Sequence, residues 1–221
     1  DNYLIREASK TVYKEKKQAD IPLLIGWNSA EREAERFLKG ANYTQDYFIS
    51  TVKETWPKHH KKILNMYSHE TQAEVRRSAT DLSSMRTVLN TWKWFNAHLT
   101  YSTKPVYRYV FSKIPPPAKT VDLSKYTPPL GPKHAADIPY VWGNLDKIKS
   151  HNYTKEDYEV SVLMQEYLAN FIKTGNPNGK GLVHWPDFKQ DQQLVIGVSP
   201  YVESIQSLRK RYQGLNKLKG L

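Results

Sequence analysis

The first regular pattern along the chain is Ile21-Pro-Leu-Leu-Ile-Gly26, a short apolar run closed by glycine. An unbroken run of that length suits a strand buried on both faces. The polar residues behind it turn helical from about Glu31 to Leu38, with Gly40 placed to stop the helix. Between Thr44 and Trp94 the apolar positions recur at helical spacing. Phe48, Val52 and Trp56 share one face, Ile63, Met66 and Tyr67 another, and Pro57 suits the first turn of a new helix. Met85, Val88, Leu89, Trp92 and Phe95 make a stripe that reads as a helix packed on a core rather than a ligand pocket.

Pro105 to Phe111 alternates side-chain types and is rich in β-formers, so a strand is expected there. Six prolines follow between Ile114 and Lys133. Each lacks an amide donor, which excludes a helix or central strand and predicts a long loop leading to His134. Glu156 to Lys173 is strongly amphipathic through Val160, Leu163, Met164, Tyr167, Leu168 and Phe171, and Gly175 ends it. Leu194 to Val198 predicts a last short strand and Pro200 to Tyr212 a terminal helix. Strand, helices, strand, long loop, helix, strand and helix resemble part of an α/β fold more than a finished one. Three separated strands make a thin sheet for so much helix, so at least one strand edge is expected to need a partner.

Composition narrows the classes. The 221 residues are 39% hydrophobic and include 6 Trp, 15 Tyr and 6 Phe, enough for one compact core and unlike a disordered chain. No window approaches the roughly 18 to 20 apolar residues of a membrane-spanning helix, and the opening DNYLIREASK lacks the apolar segment of a signal peptide. The chain is expected to be soluble. A longer parent with an upstream leader, periplasmic or secreted, stays open. Cysteine is absent, which removes disulfides, thiolate metal sites and cysteine nucleophiles. The Asn-X-Ser/Thr sites at Asn42 and Asn152 are too common by chance to argue secretion.

A net charge of +11 raises the question of nucleic acid. The basic residues lie in short runs, such as Lys58 to Lys62 and Arg209 to Arg211, and no nucleic-acid motif accompanies them. They are read as solvated faces. His59 and His60 are adjacent and point to different helix faces, and His69, His98, His151 and His184 have no ligand-like partner at useful spacing, so no metal site is expected.

Two stretches carry candidate chemistry. One is Ile21-Pro-Leu-Leu-Ile-Gly-Trp-Asn-Ser-Ala-Glu-Arg32, and the other is Gly131-Pro-Lys-His-Ala-Ala-Asp-Ile-Pro-Tyr-Val-Trp-Gly-Asn-Leu145. The first resembles the strand and Gly-x-Asn-x-Asp-Glu-Gly turn of the type-B carboxylesterase family, which includes bacterial para-nitrobenzyl esterases and cholinesterases. The second is similar to that family's catalytic-histidine stretch. Asp1-Asn-Tyr3, Pro105 to Ser112, and Asn170 to Asn178 with Trp185-Pro186 resemble further family segments in the same order, so the likeness spans nearly the whole chain.

The resemblance implies an α/β-hydrolase fold, of which residues 1–221 form the C-terminal portion as a single unit. It also implies a Ser-His-Glu relay with His134 as base and Glu31 as acid, small-molecule carboxylic esters as substrates, and no cofactor. A histidine on a loop can face both nucleophile and acid, while a carboxylate at a strand end is held firmly enough to orient it. The acid at 31 precedes the histidine at 134, the chain order expected of such hydrolases. Ala30 and Arg32 stand where the family has aspartate and glycine, which leaves Glu33 as a fallback acid. Asp137, three residues beyond His134, is expected to support the loop. The lack of cysteine tilts the resemblance towards bacterial esterases.

No Gly-x-Ser-x-Gly elbow occurs, nor a Gly-Gly run to donate oxyanion-hole amides. The serine is therefore expected from an upstream N-terminal portion of the same enzyme, and the isolated chain is expected to be inert. The alternative class is a non-catalytic, cholinesterase-like adhesion or interaction domain. Retention of both His134 and Glu31 argues against it.

Overall fold

The computed structural model describes residues 3, 4, 6–188 and 191–218. Four strands form one sheet in the order β1 (Leu23–Asn28), β2 (Val106–Phe111), β3 (Gln192–Ile196) and β4 (Tyr201–Ser204). β1 and β2 run parallel with Leu23 opposite Val106 and Asn28 opposite Phe111. β3 continues the parallel sheet, and β4 turns back antiparallel on it. Parallel neighbours need long crossovers, and here they are helical. α1 (Ser9–Lys14) precedes β1. The first crossover holds α2 (Ala34–Leu38), α3 (Gln45–Thr55), α4 (His60–Leu64) and α5 (Gln72–Tyr101). The second holds α6 (Ile138–Val141), a short 3-10 turn at Leu145–Lys147 and α7 (Lys155–Thr174), and α8 (Gln206–Asn216) closes the described chain.

The alternation along β2 sorts the interior into two layers. Val106 and Val110 join Ile25 and Trp27 in a core with Leu82, Leu89, Trp92 and Phe95 of α5. Tyr107 and Phe111 point the other way, to Val160, Met164 and Tyr167 of α7. Side chains on successive strand positions face opposite sides, so one six-residue strand feeds both layers. At the start of α5, Thr71 and Glu74 cap each other, the Thr71 oxygen accepting from the Glu74 amide and the Glu74 carboxylate from the Thr71 amide. Gly175 ends α7 in the left-handed conformation at φ 74°, as its position predicts.

Several boundaries differ from expectation: the first strand, expected to close at Gly26, runs through it as Leu23–Asn28, and the strand expected at Leu194 to Val198 is Gln192–Ile196. The helix expected from Glu31 begins at Ala34, because residues 29–32 form a turn in which side chains compete for the backbone amides. The helix expected from Pro57 begins at His60, after a turn closed by the His59 amide on the Trp56 carbonyl. The terminal helix expected from Pro200 is preceded by β4, since Tyr201 to Ser204 meet β3 in register, a pairing that no local pattern reveals. The Asp1-Asn2 part of the first family-like segment lies outside the described residues.

Arg108 occupies the inward position between Val106 and Val110 and is fully buried. Its guanidinium sits over Trp27 at 4.0 Å, Phe95 at 5.3 Å, Phe188 at 5.6 Å and Trp92 at 5.8 Å. None of its three nitrogens has a hydrogen-bond partner among the described residues. Burial pulls this group down to about 9 from 12.5, which leaves it cationic at neutral pH. Ring faces return on the order of 2 kcal/mol to a desolvated cation, less than the several kcal/mol of solvation it gives up. Replacement by an apolar side chain of similar length should therefore not harm the fold. Arg108→Met is expected to leave the thermal midpoint unchanged or raise it. A fall equivalent to more than about 2 kcal/mol would reveal a hydrogen-bonded partner for the guanidinium instead.

Candidate functional site

β1 and β2 end side by side, and the parallel pairing runs one residue further as the Ser29 amide donates to the Phe111 carbonyl at 2.9 Å. Beyond that point the chain bends and buries Glu31, which is 5% exposed. A buried carboxylate is costly unless its oxygens are occupied, and both are. Oε1 accepts from the Asn28 amide at 2.9 Å, and Oε2 lies 2.6 Å from Nδ1 of His134. The two side chains meet across 103 residues of sequence. The imidazole side chain is 57% exposed, and its Nε2 has no hydrogen-bond partner among the described residues.

The loop bearing His134 is lashed to the turn by main-chain contacts. The His134 amide donates to the Glu31 carbonyl at 3.1 Å, and the Ala30 amide to the Pro132 carbonyl at 3.3 Å. Gly131 makes this approach possible, since a Cβ there would collide with Ser29 Oγ and crowd the Ala30 nitrogen at 3.2 Å. Ala135 takes the left-handed conformation, φ 67°, unusual for a residue with a Cβ. The reversal it creates is closed by the Ala136 amide on the Lys133 carbonyl at 3.0 Å.

Asn28 was not singled out by sequence, yet it touches both halves of the site. It is 2% exposed, and its side-chain nitrogen donates to the Lys133 carbonyl at 2.6 Å and to Asp137 Oδ1 at 3.1 Å. The other oxygen of Asp137 accepts from the Tyr109 hydroxyl at 3.3 Å. Burial first, then the charges of Asp137 and Glu31, push the Tyr109 phenol well above its ordinary value, so it remains a neutral donor. Asp137 thus anchors the loop through Asn28 and Tyr109. Glu33, the fallback acid, is paired with Lys133 at 3.1 Å. The signal for Asn28 was its place in the Gly-Trp-Asn-Ser segment before Glu31. Nothing local marked Tyr109.

A second anchor lies just past the loop. Asp157, fully buried at the start of α7, accepts from the Tyr140 hydroxyl at 2.6 Å, from Lys113 Nζ at 3.0 Å, and from the Thr154 amide and hydroxyl at 2.8 Å each. Burial alone would push this carboxyl up. Tyr140, Thr154 and Lys113 together outweigh it and hold the group below its ordinary value. Tyr140 belongs to α6 and Lys113 follows β2, so one carboxylate ties the His134 segment to the sheet and to α7.

Two of the other histidines are packed against aromatic rings. His98 is 3% exposed and meets Tyr13 edge-on, and His69 stacks on Phe48. Among the described residues no three His, Asp or Glu side chains are grouped to hold a metal ion, and no helix is long and apolar enough to cross a membrane.

A sheet covered by helices on both faces, with polar side chains gathered where parallel strands end, has the build of α/β enzymes. The model of the carboxylesterase family matches residues 1–214, and the chain belongs to that family. Human cocaine esterase is 36% identical over 107 residues, which are 48% of this chain and 18% of that protein. Rat acylcarnitine hydrolase is 34% identical over 115 residues, 52% of this chain and 20% of its own length. Among solved structures, a PNB esterase superposes with a TM-score of 0.64 at 24% identity, over 97% of this chain and 42% of that one. The fold is accordingly that of an α/β-hydrolase. The chain spans about a fifth of the curated relatives and about two fifths of the solved structure.

Two outcomes are expected from the anchors. Asn28→Ala removes hydrogen bonds to a carbonyl and a carboxylate and should cost about 2 kcal/mol in denaturant unfolding. It should also weaken the low-field Nδ1 proton resonance of His134, and an unchanged resonance would show that Asn28 does not position the pair. For Asp157 the folded-state value lies below the unfolded value near 3.8, so its stabilisation is complete above that pH and fades as pH falls through the lower value. Between pH 5 and pH 2.5 the thermal midpoint of Asp157→Asn should therefore fall less steeply than that of the native chain, as read by circular dichroism at about half-unit pH steps.

Proposed function

We propose that this chain supplies the base and the acid of a Ser-His-Glu relay in a carboxylic ester hydrolase, with the serine contributed by a segment outside the sequence. The observation that carries this reading is the 2.6 Å contact between Nδ1 of His134 and Oε2 of Glu31, with Nε2 left without a protein partner among the described residues.

That arrangement suits general-base catalysis. An acid bound to Nδ1 fixes the proton there, so Nε2 presents its lone pair to a nucleophile. A serine hydroxyl placed against Nε2 would lose its proton to the ring as its oxygen attacks the ester carbonyl. The imidazolium so formed is stabilised by Glu31 and returns the proton to the departing alcohol. Water then repeats the sequence, transferring its proton to Nε2 while attacking the acyl-enzyme, and the carboxylic acid leaves with the serine regenerated. Every proton is carried by His134, so the relay needs no cofactor.

Burial differs between the pair for a reason consistent with these roles. Glu31 stays shielded, where its charge acts through a low local dielectric, while the His134 ring is the exposed partner that a nucleophile and substrate would cover. Without those covering groups the chain holds a positioned imidazole and no acyl acceptor. Membership of the carboxylesterase family supports esters as the substrate class. The particular acyl and alcohol groups would depend on walls shared with the segment that carries the serine.

The test uses the longer enzyme, with p-nitrophenyl acetate as substrate. His134→Ala is expected to lower kcat by about 10⁴ or more, and Glu31→Gln by up to about 10⁴, because each leaves the serine without a correctly poised base. Full turnover in His134→Ala would overturn the assignment. The 221-residue chain alone should hydrolyse the ester no faster than free imidazole.

A further inference from the structure

We propose that a cavity of about 620 Å³ between α1 and the C-terminal turns of α5 is a binding site for a small aromatic anion, a planar ring carrying a phosphate or sulfonate group. Its volume falls within the roughly 300–1,000 Å³ of small-molecule sites. It lies at the end of the sheet where strands begin, since α1 leads into β1 and α5 into β2. Glu31 lies past the opposite end of β1, a six-residue strand about 17 Å long at roughly 3.3 Å per residue. Lys93, Trp94 and Tyr101 fall on one face of α5 at helical spacing, and Lys10, Tyr13 and Lys14 line the other wall from α1.

Charge is the first selective feature. Lys10, Lys14 and Lys93 are exposed and have no ion-pair partner among the described residues, and no Asp or Glu lines the cavity. The acids nearest to α1 in sequence are already engaged. Glu7 and Glu15 both pair with Lys17, and Asp20 accepts from the Ser102 hydroxyl and from the amide and hydroxyl of Thr103. An anion entering the cavity therefore meets three ammonium groups and no carboxylate, and a concave wall concentrates their field.

A braced aromatic ring is the second. Trp94 is 53% exposed, yet its indole Nε1 donates to the Tyr13 hydroxyl at 2.8 Å. Tyr13 is placed in turn by the buried His98, which it meets edge-on at 6.1 Å with its hydroxyl 3.5 Å from Nδ1. Behind α1 the Gln18 side chain donates to the Tyr101 carbonyl at 3.2 Å and ties the two walls together. An indole held in one orientation while half open to solvent offers a stacking face at little further ordering entropy. The lysines alone would take any anion and the indole alone any aromatic ring. Together they favour a ligand with both, its ring on Trp94 and its charged group among the ammonium groups.

The probe is 1-naphthyl phosphate, titrated at low ionic strength into the longer enzyme labelled with ¹⁵N-tryptophan. The Trp94 indole resonance, assigned by its loss in Trp94→Phe, is expected to move and saturate, while that of Trp142, also open to solvent just past α6, stays still. Inorganic phosphate and 2-naphthol each carry half of the recognition and are expected to bind about tenfold more weakly. Lys10→Gln, Lys14→Gln and Lys93→Gln combined should weaken the probe by about tenfold, and salt raised from about 20 mM to about 200 mM by several-fold. All three lysines are exposed, so the triple variant should keep its thermal midpoint. A saturable Trp94 shift lost in that variant supports the site. No shift at Trp94, an equal shift at Trp142, or unchanged affinity in the folded triple variant would overturn it. Equal affinity for 2-naphthol would remove the role of charge, and equal affinity for inorganic phosphate the role of the ring. Tighter binding of a single-stranded oligonucleotide would assign the surface to nucleic acid instead. His134→Ala is expected to bind the probe unchanged, and a loss there would place the probe elsewhere.

Discussion

Glu31 and His134 meet at 2.6 Å from opposite ends of a 103-residue separation, and the local architecture is arranged around keeping that contact. A carboxylate almost out of solvent is stable only if its oxygens are taken up by donors. One donor is the Asn28 amide, fixed by the strand it ends, and the other is the loop-borne imidazole. The loop must therefore return to the same point with its main chain as well as its ring. The His134 amide on the Glu31 carbonyl and the Asn28 side chain on the Lys133 carbonyl bring it there.

Around that contact the two layers of the fold divide the work. The α5 side of the sheet holds the larger apolar core and tolerates Arg108, whose charge faces aromatic rings with no hydrogen-bond acceptor among the described residues. The α7 side is where polar groups are spent. There Asp157 gathers Lys113, Tyr140 and Thr154, and Asp137 gathers Asn28 and Tyr109. Each carboxylate joins segments distant in sequence. This fixes where α6 begins, and with it where the His134 loop ends.

The proline-rich segment from Ile114 to Lys133 belongs to the same design. Three consecutive prolines at 115–117 cannot extend a ladder, so after the Ser112 amide donates to the Ile196 carbonyl the chain leaves the sheet and travels over the surface before returning at Gly131.

Much of this was legible from residue order alone. The apolar run around Leu23 to Ile25 marked a strand, though not its end, while the alternation from Pro105 and the amphipathic helix ended by Gly175 encode local geometry directly, through side-chain period and backbone freedom. The two family-like stretches also marked Glu31 and His134. What sequence could not decide was everything depending on contacts between distant segments. β4 exists because β3 is there to pair with it, and residues 31–33 leave the helix because the Asn28 amide and Ser84 offer better partners. Glu33 stood as a fallback to Glu31, and only the folded chain gives it to Lys133. Tyr109 carried no local mark at all, since its hydroxyl acquires a purpose only when a loop 28 residues away brings Asp137 within reach. Periodicity is a property of neighbours along the chain, whereas the donors and acceptors of a buried polar site are chosen by whatever the tertiary fold sets beside them.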